Sequence, residues 1–179
     1  MNNLLSVREL SSNDVPFIMK YWYESDKDYL VSLGADLAKI PSKEVMEEML
    51  LQAAQLPIEK KQSYCIIWEI NGQPSGHSNI NKIIFGQEAY MHLHLWNTGT
   101  RQKGMGASLV KMTLPYFFNN CKLKMLYCEP YALNAAPNKT LAKAGFTFVK
   151  EYVTVPGYIN FEQPVKRWEL SHADFQKIV

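Results

Sequence analysis

Two basic side chains and two glycines stand together in Arg101-Gln102-Lys103-Gly104-Met105-Gly106, just ahead of a run with apolar residues at helical spacing. A helix start leaves backbone N–H groups unpaired and carries partial positive charge, so an anion is favoured there. Glycines let the backbone come close to a phosphate and adopt torsions closed to other residues. The spacing is neither the dinucleotide-binding nor the P-loop pattern, and the bland alternative is a turn that serves packing alone. Upstream, Tyr90, His92, His94 and Trp96 alternate with Met91, Leu93 and Leu95. In a strand that alternation sends the two sets to opposite faces. The apolar set is expected in the core, leaving the histidines on the other face, where imidazole can take a proton near neutral pH. His92, His94 and Cys128 lack the second spaced pair that a four-ligand zinc site needs. In a buried strand Cys128 reads as a structural thiol rather than a nucleophile.

These residues need elements to position them. Leu4 to Leu10 reads as a strand, ended by Ser11-Ser12-Asn13-Asp14, a cluster able to cap a helix that holds Pro16 in its first turn and Phe17, Ile18, Tyr21 and Trp22 at helical spacing. After a loop near Gly34, Pro41-Ser42 opens a second helix with Val45, Met46, Met49, Leu50 and Ala53, closed by Pro57. Ser63 to Ile70 is a short apolar strand, and Asn71-Gly72 is a hairpin signal leading to a return strand, Gly76 to Phe85. Glu88 to Trp96 forms the next strand. The glycine turn then starts a helix that Pro115 should kink or end. Leu123 to Cys128, Phe146 to Val153 and Lys166 to Leu170 read as strands, with a short helix over Asn138 to Lys143. The order β-α-α-β-β-β-α-β-α-β-β predicts a mixed α/β sheet.

The 179 residues suit a single domain, and 47% hydrophobic with 20% charged residues is a globular balance. Nineteen basic against 17 acidic residues leave a net charge of +2, too little to argue for nucleic acid. No apolar run is long enough for a membrane helix, and the N-terminus lacks a secretory pattern. Three widely spaced cysteines, Cys65, Cys121 and Cys128, suggest reduced thiols in a cytoplasm.

Arg101 to Gly106 resembles the R/Q-x-x-G-x-G/A acyl-CoA pyrophosphate motif of the GNAT superfamily of N-acetyltransferases. Asn134, nine residues before Lys143 and eleven before Gly145-Phe146, resembles that family's second signature, an Asn followed by a short helix ending in K-x-G-F. The resemblance covers nearly the whole chain. It implies a mixed, mostly antiparallel sheet whose fourth and fifth strands splay apart, flanked by helices. It further implies that acetyl-CoA or another acyl-CoA is the co-substrate, with no metal. The backbone of Leu93, Leu95, Trp96 and Asn97 would bond the pantetheine arm and polarise the thioester. Gln102, Lys103, Gly104, Met105 and Gly106, with Arg101, would hold the pyrophosphate, and Asn134 the pantetheine or a water. Pairing of exposed strands into a homodimer is a further implication.

Acyl transfer to an amine needs a neutral amine, donors for the oxyanion, and a proton or positive field for the departing thiolate. His94, ten residues before Gly104, matches a histidine of the hydroxamate-siderophore acyltransferases, and Cys128 to Asn134 resembles their C-E-P-D-x-R-N segment. Tyr131 and Leu133 depart from it. The same run is similar to an acidic-Pro-x-x-x-Asn segment of aminoglycoside 6'-acetyltransferases. That makes Glu129 the second candidate, as base or as anchor of a cationic amine, beside a plain turn cap. His92 is the third. Leu141 stands where many family members carry a tyrosine that protonates the thiolate; Tyr131 and Tyr152 are the substitutes to consider. The loop Pro156 to Pro164 is expected to wall an acceptor pocket. The implied acceptor is a small-molecule or peptide amine. The rival class is a catalytically silent acyl-CoA-binding module.

Overall fold

The computed structural model describes residues 3–96 and 104–178. Strand β1 (Leu5–Glu9) runs into a 3-10 turn (Ser12–Asp14), where the Asp14 carboxylate accepts the Ser11 backbone N–H at 2.9 Å. Helix α1 (Val15–Glu24) follows with Pro16 in its first turn, where a missing N–H costs nothing. The sequence pattern did not foretell α2 (Lys27–Ser32). Its six residues are too few to show a period; the local signal is Asp26, whose side chain accepts the Tyr29 N–H at 2.8 Å. Ser42 caps α3 (Lys43–Gln55) as expected.

The hairpin falls at Asn71-Gly72, with φ of 54° and 74°, both left-handed as a two-residue turn of this kind requires. It joins β2 (Tyr64–Ile70) to β3 (Gln73–Ile84). Then come β4 (Glu88–Leu95), α4 (Met105–Pro115), β5 (Met125–Cys128), α5 (Ala135–Ala144), β6 (Thr147–Thr154), β7 (Gln163–Ser171) and a short α6 (His172–Phe175). Pro115 is the last α-helical residue of α4, and the chain continues as a wider π-helical turn over Tyr116–Asn120. Proline supplies no N–H to the i−4 ladder, so the helix changes pitch where it was expected to kink or end.

The seven strands form one sheet in the order β1-β2-β3-β4-β5-β7-β6. Every neighbouring pair is antiparallel except β4 with β5. One face packs Ile66, Trp68, Ile80, Met91 and Leu126 against Leu109, Leu114 and Phe117 of α4 and its π turn and Leu141 of α5. Met91 is buried there and Leu93 and Leu95 pack against it, so the apolar set of β4 does face the core. The other face sets Cys65 and Ile67 against Ile18, Tyr21 and Trp22 of α1 and Met46 of α3. That second layer is smaller, and it leaves Val45 and Met49 of α3 nearly half exposed.

Candidate functional site

Strands β4 and β5 run parallel and pair from Glu88↔Met125 to Met91↔Cys128. Past that point β4 bonds only to β3, through His92↔Asn79, Leu93↔Ser78, His94↔His77 and Leu95↔Gly76. The chain leaving β5 instead turns towards β7: Lys166 N–H donates to Pro130 O at 3.1 Å and Ala132 N–H to Pro164 O at 2.8 Å. A gap opens between the two strands as a result. Trp96 N–H donates to Ser75 O at 2.9 Å, across to β3. Alternation along the strand then turns the amides of Leu95 and Leu93 the other way, towards the gap.

A cavity of about 230 Å³ occupies that gap. Leu93 and Leu95 form one side, Gly104 to Ala107 at the start of α4 another, and Asn134, Pro137 and Thr140 at the start of α5 a third. Gly104 has φ of 93° and stands at the N-cap, so the unbonded first amides of α4 look out over the opening. Gly106 has a packing reason as well: a Cβ there would lie 3.2 Å from Thr140 Oγ1, so the glycine lets α4 and α5 approach. Lys139 and Lys143 add positive charge along the α5 side. Asn134 is the N-cap of α5 and accepts the Ala136 N–H at 3.3 Å. Asn97, Arg101, Gln102 and Lys103 lie outside the described residues.

A second cavity, about 380 Å³, lies on the face of α1 and α3. The two cavities share Leu33, Leu93, Asn134 and Pro137, so they meet where the strands part. His92 and His94 line the second cavity together with His77 of β3, which the sequence reading passed over. A signal was present: in β3, His77, Asn79 and Asn81 alternate with Gly76, Ser78 and Ile80, the same two-residue period as in β4. His77 and His94 stack with centroids 4.5 Å apart. Trp96 Nε1–H donates to His77 Nδ1 at 2.8 Å, which puts the His77 proton on Nε2. His92 Nε2 meets Asn81 Oδ1 at 3.1 Å; with that oxygen accepting, His92 Nδ1 is left as an acceptor. His94 Nδ1 lies 3.4 Å from the Tyr21 hydroxyl. Of the two aromatics expected beside the histidines, Tyr90 packs on Tyr127 instead, while Trp96 stays against His77 and also stacks on Phe17.

Burial pushes the histidines towards the neutral form. His77 is held down to about 3 and His92 to about 4, and His94 lies well below the usual imidazole value, with its two histidine neighbours adding to the burial effect. At neutral pH all three are uncharged hydrogen-bond acceptors of low basicity.

Glu129 also borders this cavity, but its carboxylate is engaged: Arg167 Nη1 lies 3.3 Å from Oε1, and the Tyr152 hydroxyl donates to the same oxygen. Its side chain is 5% exposed. Burial and that bond hold the Tyr152 proton more tightly than in a free phenol. Tyr131 lines the cavity, and its ring meets Phe161 edge-on. Burial pushes the Cys128 thiol up, consistent with a structural role, and Leu141 is fully buried in the core. Pro156, Gly157, Tyr158 and Ile159 line the cavity, as expected of that loop. From α3, Met46, Met49, Leu50 and Ala53 supply a wall that the helical period alone did not assign to a cavity. Among the described residues, no group of three or more His, Cys, Asp or Glu side chains is placed to hold a metal ion.

No protein-family model matches the chain, and no curated protein sequence does. Solved structures do. The aminoglycoside acetyltransferase AAC(6')-Ib in complex with coenzyme A superposes with a TM-score of 0.74 at 16% identity, over 97% of this chain and 98% of that one. The spermidine N-acetyltransferase from Vibrio cholerae, in complex with CoA and spermine, gives a TM-score of 0.75 at 19% identity, over 96% of this chain and 98% of that one. AAC(6')-Ib in complex with coenzyme A and kanamycin gives 0.73 at 17%, with 97% and 98% covered. The fold of the chain is thus the GNAT fold that the two sequence signatures implied.

Proposed function

We propose that this chain is a single-domain N-acyltransferase that moves an acetyl or other acyl group from acyl-CoA to a primary amine of a small molecule or peptide. The observation that carries the reading is the meeting of two cavities at Leu93 and Asn134, where β4 and β5 part. One cavity has a helix start and two lysines, suited to a phosphorylated carrier. The other has neutral imidazoles, suited to an amine. Three buried free thiols agree with a reducing cytoplasm.

The residues around the gap fit an acyl-CoA, whose contribution is an activated thioester carbonyl. The start of α4, with Lys139 and Lys143, binds its phosphates, and the backbone of Leu93 and Leu95 borders the pantetheine channel. Amides turned into the gap are donors for the carbonyl oxygen as negative charge grows on it. The amine nitrogen forms a C–N bond to the carbonyl carbon, the C–S bond breaks, and the proton lost by nitrogen ends on the sulfur, directly or through solvent. His94 is the first choice to accept that proton and His92 the second. Burial keeps both imidazoles unprotonated at neutral pH, so a ring nitrogen is open to accept it. Glu129 orients Arg167 and Tyr152.

The test is free-thiol release from acetyl-CoA across a panel of amines, alongside calorimetric acetyl-CoA binding. Turnover on an amine supports the reading; failure to bind acetyl-CoA or any longer acyl-CoA overturns it. A second reading, a silent acyl-CoA-binding module, is favoured by Leu141 standing buried where a thiolate proton donor would be. Tight binding with no turnover on any amine would select it.

A further inference from the structure

The wall of the larger cavity is almost without charge. Of the described residues that line it, Glu129 alone carries a formal charge, and its carboxylate is committed to Arg167 and Tyr152. The residues outside the description include no Asp or Glu, so none of their side chains can add a carboxylate. Ile18, Met46, Met49, Leu50 and Ile159 give the wall an apolar stretch, and Trp22 continues it up to His94, whose ring it meets edge-on. A compound with several ammonium groups needs a carboxylate or a comparable set of acceptors for each, because an unpaired cation moved from water into such a wall carries a heavy desolvation cost. An aromatic or branched apolar body, by contrast, gains from leaving water there, and unbranched methionine side chains adapt to its outline.

Resting on the acyl-transfer reading above, we infer that the acceptor is a monoamine on an aromatic or branched apolar body, seated with its nitrogen at His92 and His94 and its body against α1 and α3, and not a polyamine or aminoglycoside. The size agrees: about 380 Å³ is at the small end of ligand sites, room for one ring system and a short arm. The histidines agree too. Burial keeps all three neutral, so none repels a cationic nitrogen, and His92 Nδ1 is left as an acceptor for it. Gln163, in the same wall, is uncharged and donates its amide to the Gly34 carbonyl.

The experiment measures binding of tryptamine, phenethylamine, spermidine and kanamycin by calorimetry, with and without coenzyme A, and thiol release from acetyl-CoA with each. The arylalkyl monoamines are expected to bind at least 10-fold more tightly than spermidine or kanamycin, and to lead in kcat/KM by a similar factor. Met49, 43% exposed on α3, offers the converse variant. Met49→Glu introduces a carboxylate at the cavity and is expected to tighten spermidine binding at least 5-fold while weakening tryptamine binding. Equal or tighter binding of spermidine or kanamycin by the wild type overturns the inference, as does failure of every amine to bind. Failure of coenzyme A to bind, with the amine ranking and the Met49→Glu shift intact, sinks the acyl-transfer reading and leaves the cavity's preference standing.

Discussion

Met91 pairs with Cys128, and there the partnership of β4 and β5 ends. Four more residues of β4, His92 to Leu95, continue beside β3 alone, and their other edge borders both cavities. Both chemistries proposed for this chain, an activated carbonyl held by backbone amides and an amine met by imidazole, depend on that one departure. A parallel pair normally continues until the chain turns; here Pro130, Ala132 and Lys166 tie the chain after β5 to β7.

His94→Ala is expected to lower kcat/KM by about 100-fold, the low end of what a positioned proton acceptor contributes. Acetyl-CoA affinity should stay within about twofold of wild type. The check is steady-state thiol release on a competent amine, paired with calorimetry. An unchanged kcat/KM would remove His94 from the chemistry.

Glu129→Gln separates a base from a scaffold. Its partners Arg167 and Tyr152 would lose the charge they are built around, and stability should fall by about 2 kcal/mol, measured by urea unfolding. A group that only orients others should cost kcat less than about tenfold, whereas a loss of 100-fold or more would make Glu129 the base.

Gly104→Ala tests the torsion rather than the space. No atom of the described residues lies within 4 Å of a Cβ built there, so the cost comes from φ of 93°, about 1–2 kcal/mol. Relief of that strain would tilt the first amides of α4, and acetyl-CoA affinity should drop severalfold. Gly104→Asn, which tolerates the left-handed region better, should recover part of both losses.

Stability should fall between pH 7.5 and pH 5. Unfolded His77 takes a proton as pH drops below its ordinary 6.5, while burial keeps the folded residue neutral down to about 3. The unfolded chain therefore binds more protons in that window, and stability is full above 6.5 and is lost as pH falls. For His77 the loss by pH 5 is about 2 kcal/mol. Urea unfolding at both pH values should show it, with a smaller difference in His77→Gln. Carboxylates contribute little at pH 5, since Asp14, whose burial is outweighed by bonds from Arg8 and Ser11, stays charged there.

All three cysteines are buried, and burial pushes their thiols up. A disulfide reagent should titrate none of them in the native protein within minutes, and three per chain in denaturant. Fast labelling of Cys128 would contradict its packing in the core.

Much of this protein can be read from short stretches of chain. Asn71-Gly72 makes its hairpin, Ser42 starts its helix, and the alternation Tyr90 to Trp96 sends apolar and imidazole side chains to opposite faces, because torsion preference and side-chain period are set within a few residues. Arg101 to Gly106 announced a helix start with glycine torsions, and Gly104 has one. Helices of four and six residues, α6 and α2, carry too little pattern to be seen this way.

The tertiary structure decided what those residues meet. Nothing local says that His77 stacks on His94, that Trp96 sets its tautomer from 19 residues away, or that Glu129 is held by Arg167, 38 residues on. The same is true of the charge-poor cavity, whose walls come from helices, strands and loops distant in sequence. Such pairings depend on burial and on which strand a chain chooses to follow, and those are properties of the whole packed sheet rather than of any segment in it.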